Sequence, residues 1–166
     1  KKRVLYTSSR KIEHPPILKE DWLYYTHKQI KSGYHNVTLS GYGYTHELWR
    51  KNVKTKKKVR LLVHDISAYT VLDDHTKVIA SHKPGEFSTQ IDSLKNNVLT
   101  KKGSLPFLVS EIMSYKNDYI VIGKKMGHTW NIFKVNEVDL SVEPLYEGAS
   151  SIAYLGLHNQ KLTFTV

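Results

Sequence analysis

The stretch Asp118-Tyr119-Ile120-Val121-Ile122 decides the fold, because related stretches lie 42 residues to either side of it. The earlier one is Thr76-Lys77-Val78-Ile79-Ala80 and the later one is Gln160-Lys161-Leu162-Thr163-Phe164. Each is short, rich in β-branched and aromatic residues, and preceded by a polar turn, which is typical of a β-strand. Another apolar run comes before each turn, so the repeating unit begins strand, turn, strand.

A further copy of the unit begins at Asp21-Trp22-Leu23-Tyr24-Tyr25, with an insertion placed at residues 33–44. Third and fourth apolar runs follow in two copies, at 48–53 with 59–63 and at 131–136 with 142–146. Four short antiparallel strands in about 40–45 residues are typical of a propeller blade. A single blade cannot bury both faces, so blades stack. We therefore predict an all-β, propeller-like antiparallel meander of repeated short-stranded sheets.

The extent of the repeat leaves several interpretations open, because the chain has room for about three and a half units. Either the propeller-like fold is incomplete and the chain is a piece of a larger propeller, or the run Val4–Ser9 completes the last sheet, or the fold is a different open meander. Residues 1–20 are predicted to form a lead-in strand and a Pro15-Pro16 linker packed on one repeated domain, 21–166. Residues 106–115 fit a short helix or a strand.

The three stretches Asp21–Tyr25, Glu47–Asn52 and Arg60–Leu62 resemble the blades of bacterial propeller-like domains of the TolB and low-density-lipoprotein-receptor-like type. The resemblance covers most of residues 20–166. Such domains are common in extracytoplasmic lipoproteins and sensor ectodomains of Gram-positive bacteria. The resemblance implies a non-enzymatic domain at the cell surface or secreted, with its signal or anchor outside this chain.

The composition indicates an anionic partner or, as the alternative, a solvated lysine surface. The 25 Lys and Arg residues exceed the 15 Asp and Glu residues, giving a net charge of +10. Such an excess attracts nucleic acid, an acidic membrane face or a wall polymer. The chain has no cysteine, which excludes disulfides, cysteine zinc sites and a cysteine nucleophile. No apolar run approaches the length of a transmembrane helix, about 20 residues.

Two segments are candidate contact surfaces. The first is a run of seven cations in eleven positions, which would form an anion-contact patch if 54–58 were a hairpin tip; a merely solvated turn is the alternative. The second is the glycine- and tyrosine-rich insertion, which would contact a partner or simply pack on its own sheet. Further turn cations are expected at Lys101-Lys102 and Lys124-Lys125. The candidate residues are Arg50, Lys51, Lys54, Lys56, Lys57, Lys58 and Arg60 in the run, and Tyr34, Tyr42 and Tyr44 in the insertion.

The sequence offers no catalytic residue, metal site or cofactor motif. No G-x-S-x-G or H-E-x-x-H pattern occurs. The pair that comes closest to a metal-binding doublet, Asp74-His75, lies in a predicted turn where solvent exposure is expected. We therefore expect a non-enzymatic, extracytoplasmic binding or regulatory domain that contacts a protein or an anionic polymer of the wall or membrane surface. The alternative is a basic nucleic-acid-binding β domain. An enzyme with residues spread over loops has no direct support.

Overall fold

A computed structural model describes residues 14–30, 44–82, 85–125, 129–152, 154–158 and 161–166. The strands form four antiparallel sheets, each in sequential order. Sheet A contains β1 (Ile17–Lys19), β2 (Trp22–Ile30), β3 (Tyr44–Asn52) and β4 (Lys58–His64); sheet B contains β5 (Ala68–Val71), β6 (Lys77–His82), β7 (Thr89–Lys95) and β8 (Val98–Leu105). Sheet C contains β9 (Leu108–Tyr115), β10 (Asp118–Lys124), β11 (Trp130–Asn136) and β12 (Val142–Ala149); sheet D contains β13 (Tyr154–His158) and β14 (Lys161–Thr165).

The repeat inferred from the sequence is confirmed at the level of single strands. Leu23, Val78, Ile120 and Leu162 all lie in the second strand of their sheets, β2, β6, β10 and β14. Each second strand is antiparallel to the first strand of its sheet. The prediction of an all-β meander of repeated short-stranded sheets is therefore correct.

Residues 108–115 form strand β9, which settles the choice between helix and strand. The segment pairs with β10 along its length apart from a bulge at Ser110, and its buried residues Val109 and Ile112 belong to a hydrophobic cluster shared with sheet B. The run Val4–Ser9 lies outside the described residues.

Lys101 and Lys102 lie within β8, not in a turn, so that prediction is wrong. β8 is the last strand of sheet B, and all its residues except Gly103 and Leu105 are exposed. Charged side chains on an edge strand oppose pairing with other chains, and they also give the strand the polar sequence of a turn. Lys124 ends strand β10 and Lys125 follows it.

The chain divides into two compact units. Unit 1 comprises residues 1–66 and the turn 73–75, and unit 2 comprises 67–72 and 76–166. Sheet A therefore belongs to unit 1, and sheets B, C and D belong to unit 2. The proposed arrangement of a lead-in segment, 1–20, on a repeated domain, 21–166, stays a prediction. Among the described residues, no helix has the length and hydropathy needed to cross a membrane.

The core of unit 2 combines side chains from sheets B and C. Ala68, Val78 and Ile91 from sheet B lie in one buried cluster with Val121 and Phe133 from sheet C. Phe107, in the connection between the two sheets, stacks on Phe133 with ring centroids 4.4 Å apart. The two sheets thus bury each other's apolar face, which one sheet alone could not do.

Candidate functional site

The turn between β3 and β4 is the centre of the cationic run. We call residues 53–57 the basic tip. The Asn52 side-chain oxygen accepts hydrogen bonds from the backbone N–H of Lys54, at 3.0 Å, and of Thr55, at 2.8 Å. The backbone N–H of Lys56 bonds the Asn52 carbonyl at 3.0 Å, and Lys56 has a positive φ of 64°. One asparagine thus closes the turn, as this residue type often does.

Sheet C carries a turn with the same bonding, which we call the acidic counterpart (residues 137–141). The Asn136 side-chain oxygen accepts from the N–H of Val138, at 2.8 Å, and of Asp139, at 3.3 Å. Leu140, like Lys56, bonds the asparagine carbonyl and has a positive φ, here 58°. In sheet B the corresponding strands join through only Asn96-Asn97, with φ of 51° and 64°, as in a type I′ turn.

The two asparagine-closed turns carry opposite charge. The basic tip contains Lys54, Lys56 and Lys57, and the acidic counterpart contains Glu137 and Asp139. Hydrogen bonds from Ser141 hold the pKa of the Asp139 carboxyl below its usual range, so this group is ionised at neutral pH. The same turn conformation therefore also forms without lysines, around Asn136.

Arg50 and Arg60 support sheet A and are not part of the basic tip. The Arg50 guanidinium lies over the Trp22 ring, 4.4 Å from its centroid. Arg60 donates to the carboxylate of Glu47 at 3.1 Å, and the buried Glu47 also accepts from the Trp49 indole N–H at 3.1 Å. Cations held in this way have structural partners, so they offer less to an external anion.

The lysines of the basic tip are held less firmly by structural partners than Arg50 and Arg60 are. Lys54 pairs with Asp21 at 2.8 Å, but the Lys54 side chain is largely exposed and that of Asp21 partly exposed, and such pairs are weak. The Lys56 ammonium donates to the Val53 carbonyl at 2.8 Å, and Lys57 is exposed. Lys51 and Lys58 face each other where the turn begins. The basic tip therefore presents three lysines on five residues.

Tyr44, the described residue of the tyrosine insertion, does not lie near the basic tip. Tyr44 begins β3, opposite Ile30 of β2, whereas Asn52 ends the strand. Eight residue steps in a strand span about 26 Å. Tyr34 and Tyr42 lie outside the described residues. The predicted cation run and Tyr44 thus occupy opposite ends of one strand.

Sequence reasoning missed a polar cluster in unit 1. The Tyr24 hydroxyl is 3.1 Å from His75 Nδ1, and His75 Nε2 is 3.3 Å from the Glu20 carboxylate. Burial raises the pKa of Tyr24, although the neighbouring Arg50 acts in the opposite direction. His75 is therefore engaged on both nitrogens. Its partners are more than 50 residues away in sequence, so local sequence could not identify them.

No group of three potential metal ligands occurs within the described part of the chain.

We expect Lys56→Gly to stabilise the fold slightly, by up to about 1 kcal/mol, because glycine adopts a positive φ without the steric cost of a side chain. Lys57→Gly is the matched control, since it removes the same charge from a residue without a positive φ. That variant should be destabilising by about 0.5–1 kcal/mol at most. Urea denaturation followed by tryptophan fluorescence compares the two. A Lys56→Gly variant less stable than Lys57→Gly would contradict the expectation.

Comparison with known proteins identifies the fold. No known protein family matches the chain, and no curated protein sequence matches it. TolB from Acinetobacter baumannii has a TM-score of 0.61 and 11% identity, over 92% of this chain and 36% of that chain. The β-propeller domain of the Trilobed protease from Pyrococcus furiosus, which has an open velcro topology, has a TM-score of 0.58 and 10% identity, over 87% of this chain and 45% of that chain.

The chain thus spans less than half the length of either structure. The predicted TolB-like β-propeller fold is confirmed.

Proposed function

We propose that this chain is a non-enzymatic, extracytoplasmic binding domain that contacts an acidic segment of a protein partner through the basic tip. The TolB-like propeller fold supports a binding role, and the resemblance to extracytoplasmic domains supports the location. The absence of catalytic motifs from the sequence supports a non-enzymatic role.

One observation carries the proposal: Asn52 closes the turn of the basic tip, and the lysine side chains add to the turn only the bond from the Lys56 ammonium to the Val53 carbonyl. The acidic counterpart folds the same way around Asn136 with carboxylates in place of the lysines. The three positive charges are therefore not required to form the turn. Contact with a binding partner explains these three charges better.

A cluster of exposed lysines suits an acidic protein segment. Opposite charges on two surfaces increase the association rate and specificity more than the final affinity. Because the side chains are exposed, the attraction is screened by salt over about 8 Å at physiological ionic strength. We therefore expect binding that is fast and salt-sensitive.

The test is the variant Lys54→Gln/Lys56→Asn/Lys57→Gln, in which asparagine suits the positive φ of position 56. Binding to poly-L-glutamate, a model acidic polypeptide, is measured by fluorescence anisotropy at two salt concentrations. If each lysine contributes about 0.5–1 kcal/mol, the affinity falls roughly tenfold to hundredfold. The matched control is Lys95→Gln/Lys101→Gln/Lys161→Gln, which removes the same charge from exposed positions of unit 2. This control should retain most of the affinity.

Equal losses in the two triple variants would contradict the proposal, because net charge alone would then account for binding. The same measurement with a random single-stranded oligonucleotide and with poly(glycerol phosphate) tests the other partners. Tip-dependent binding that is much tighter for the oligonucleotide would favour the nucleic-acid alternative. Tip-dependent preference for poly(glycerol phosphate) would favour an anionic wall polymer over a protein.

A further inference from the structure

Ile66 is held on both sides of its backbone by histidines. His14 Nε2 lies 3.0 Å from the Ile66 carbonyl oxygen, and the Ile66 N–H donates to His46 Nδ1 at 3.3 Å. The two imidazole rings are 5.1 Å apart, and the Ile66 residue is 1% exposed. Ile66 follows β4 and is the last residue of the continuous part of unit 1. A buried backbone segment is thus bonded through two titratable side chains.

The chemistry of the backbone fixes where the protons lie. A peptide N–H can only donate, so His46 Nδ1 must be unprotonated and the His46 ring must be neutral. A carbonyl oxygen can only accept, so His14 Nε2 must carry a proton. The His14 bond is therefore compatible with a neutral or a charged ring, whereas the His46 bond exists only while His46 is neutral.

The groups around His46 are mainly basic. Lys28 lies opposite it on β2, and His64 lies opposite it on β4. His14 faces it from the segment before β1. Asp65, directly before Ile66, is the acidic residue of the connection after β4. Protonation of His46 therefore adds a positive charge next to a lysine and two other histidines, while it removes the bond to Ile66.

We propose that His14 and His46 form an acid-sensitive clamp on Ile66. The clamp is closed while His46 is neutral, and protonation of His46 opens it by breaking the bond from the Ile66 N–H to His46 Nδ1. This clamp is independent of the proposed binding function. Histidine ordinarily titrates near pH 6.5, so mild acid is the relevant signal. In acid, the buried Ile66 N–H loses its acceptor and the segment after β4 opens locally.

His82 provides an internal contrast in unit 2. Its Nε2 lies 2.9 Å from the Val109 carbonyl oxygen, which can only accept. Protonating His82 leaves that bond in place, as for His14. The proposed sensitivity therefore belongs to His46 and not to histidine–backbone bonds in general.

The experiment measures the exchange protection factor of the Ile66 amide by NMR between pH 7.5 and pH 5.0, after correction for intrinsic exchange. In the unaltered protein, protection should fall about threefold to tenfold, the range expected for the loss of one hydrogen bond. In His46→Asn the side-chain oxygen replaces Nδ1 as acceptor but does not titrate, so the protection factor should stay within about twofold. His82→Gln is the control and should show the same fall at Ile66 as the unaltered protein.

Two results of the exchange experiment would overturn the clamp. One is an unaltered protein whose Ile66 protection does not change with pH, and the other is a His46→Asn variant with the full acid-dependent loss. If His46→Asn fails to fold, ¹⁵N shifts of the His46 ring in the unaltered protein decide the question. An unprotonated Nδ1 at pH 7.5 that gains a proton as Ile66 protection falls supports the clamp. A protonated Nδ1 at pH 7.5 refutes it.

Discussion

Replacing Phe133 by alanine should lower the free energy of unfolding of unit 2 by about 3–5 kcal/mol, the usual cost of removing a buried aromatic ring. Phe133 is 1% exposed and stacks on Phe107 with ring centroids 4.4 Å apart and planes 24° from parallel. Both rings belong to the cluster that combines sheets B and C. The variant leaves a cavity and removes the aromatic contact, and these two losses add.

Native-state hydrogen exchange of amides in β10 and β11 measures this loss in unit 2 alone. Phe164→Ala is the matched control, because Phe164 also contacts an aromatic ring, that of Tyr146 at 5.0 Å, but is only partly buried. Its variant should lose less than Phe133→Ala. A larger loss in the Phe164 variant would show that the core of unit 2 does not depend on the Phe107–Phe133 stack.

The second strands of sheets B and C could be predicted from sequence because they are apolar on both faces. Val78, Ile79 and Ala80 are all buried in β6, as are Ile120, Val121 and Ile122 in β10. Strands β7 and β8 were not predicted, because polar residues interrupt them. In β7 the residues Asp92 and Thr89 are buried and bonded, and β8 is an exposed edge strand. Pattern alone does not separate such strands from loops.

The basic tip could be predicted from sequence because its charge is local to one hairpin. The roles of Arg50 and Arg60 could not, since each depends on a residue of another strand: Trp22 for Arg50 and Glu47 for Arg60. The contact of His14 with Ile66 joins residues 52 positions apart. Contacts of this kind are created by the fold, so they appear only once the strands are in register.

The sequence also carries a signal of the turn. Asn52 and Asn136 are 84 residues apart, which is twice the repeat length. The shared asparagine marks the two turns as equivalent, and the residues after it differ in charge. The repeat thus indicates that the turn requires the asparagine, whereas the charge of the residues after it is free to vary.

Gly123→Ala should lower the free energy of unfolding of unit 2 by about 1–3 kcal/mol, because it overfills a packed core. A Cβ at position 123 would lie 2.5 Å and 2.7 Å from two atoms of the Phe107 ring and 3.2 Å from the Phe133 ring. Neither ring can yield easily, since each is buried against the other. Gly103→Ala is the control: its Cβ would meet the Leu140 Cδ1 atom at 2.8 Å, the end of a flexible side chain. This variant should cost less.

A double-mutant cycle tests whether Phe107 causes the cost of Gly123→Ala. Phe107→Leu alone is destabilising, because it removes part of a buried ring and its stacking contact. With leucine at 107, the Cβ at 123 gains space, so the double variant should be more stable than the sum of the single changes predicts. A coupling of at least about 0.5 kcal/mol is expected for residues in direct contact. Additive effects would place the strain of Gly123→Ala on the backbone of β10 and not on the ring of Phe107.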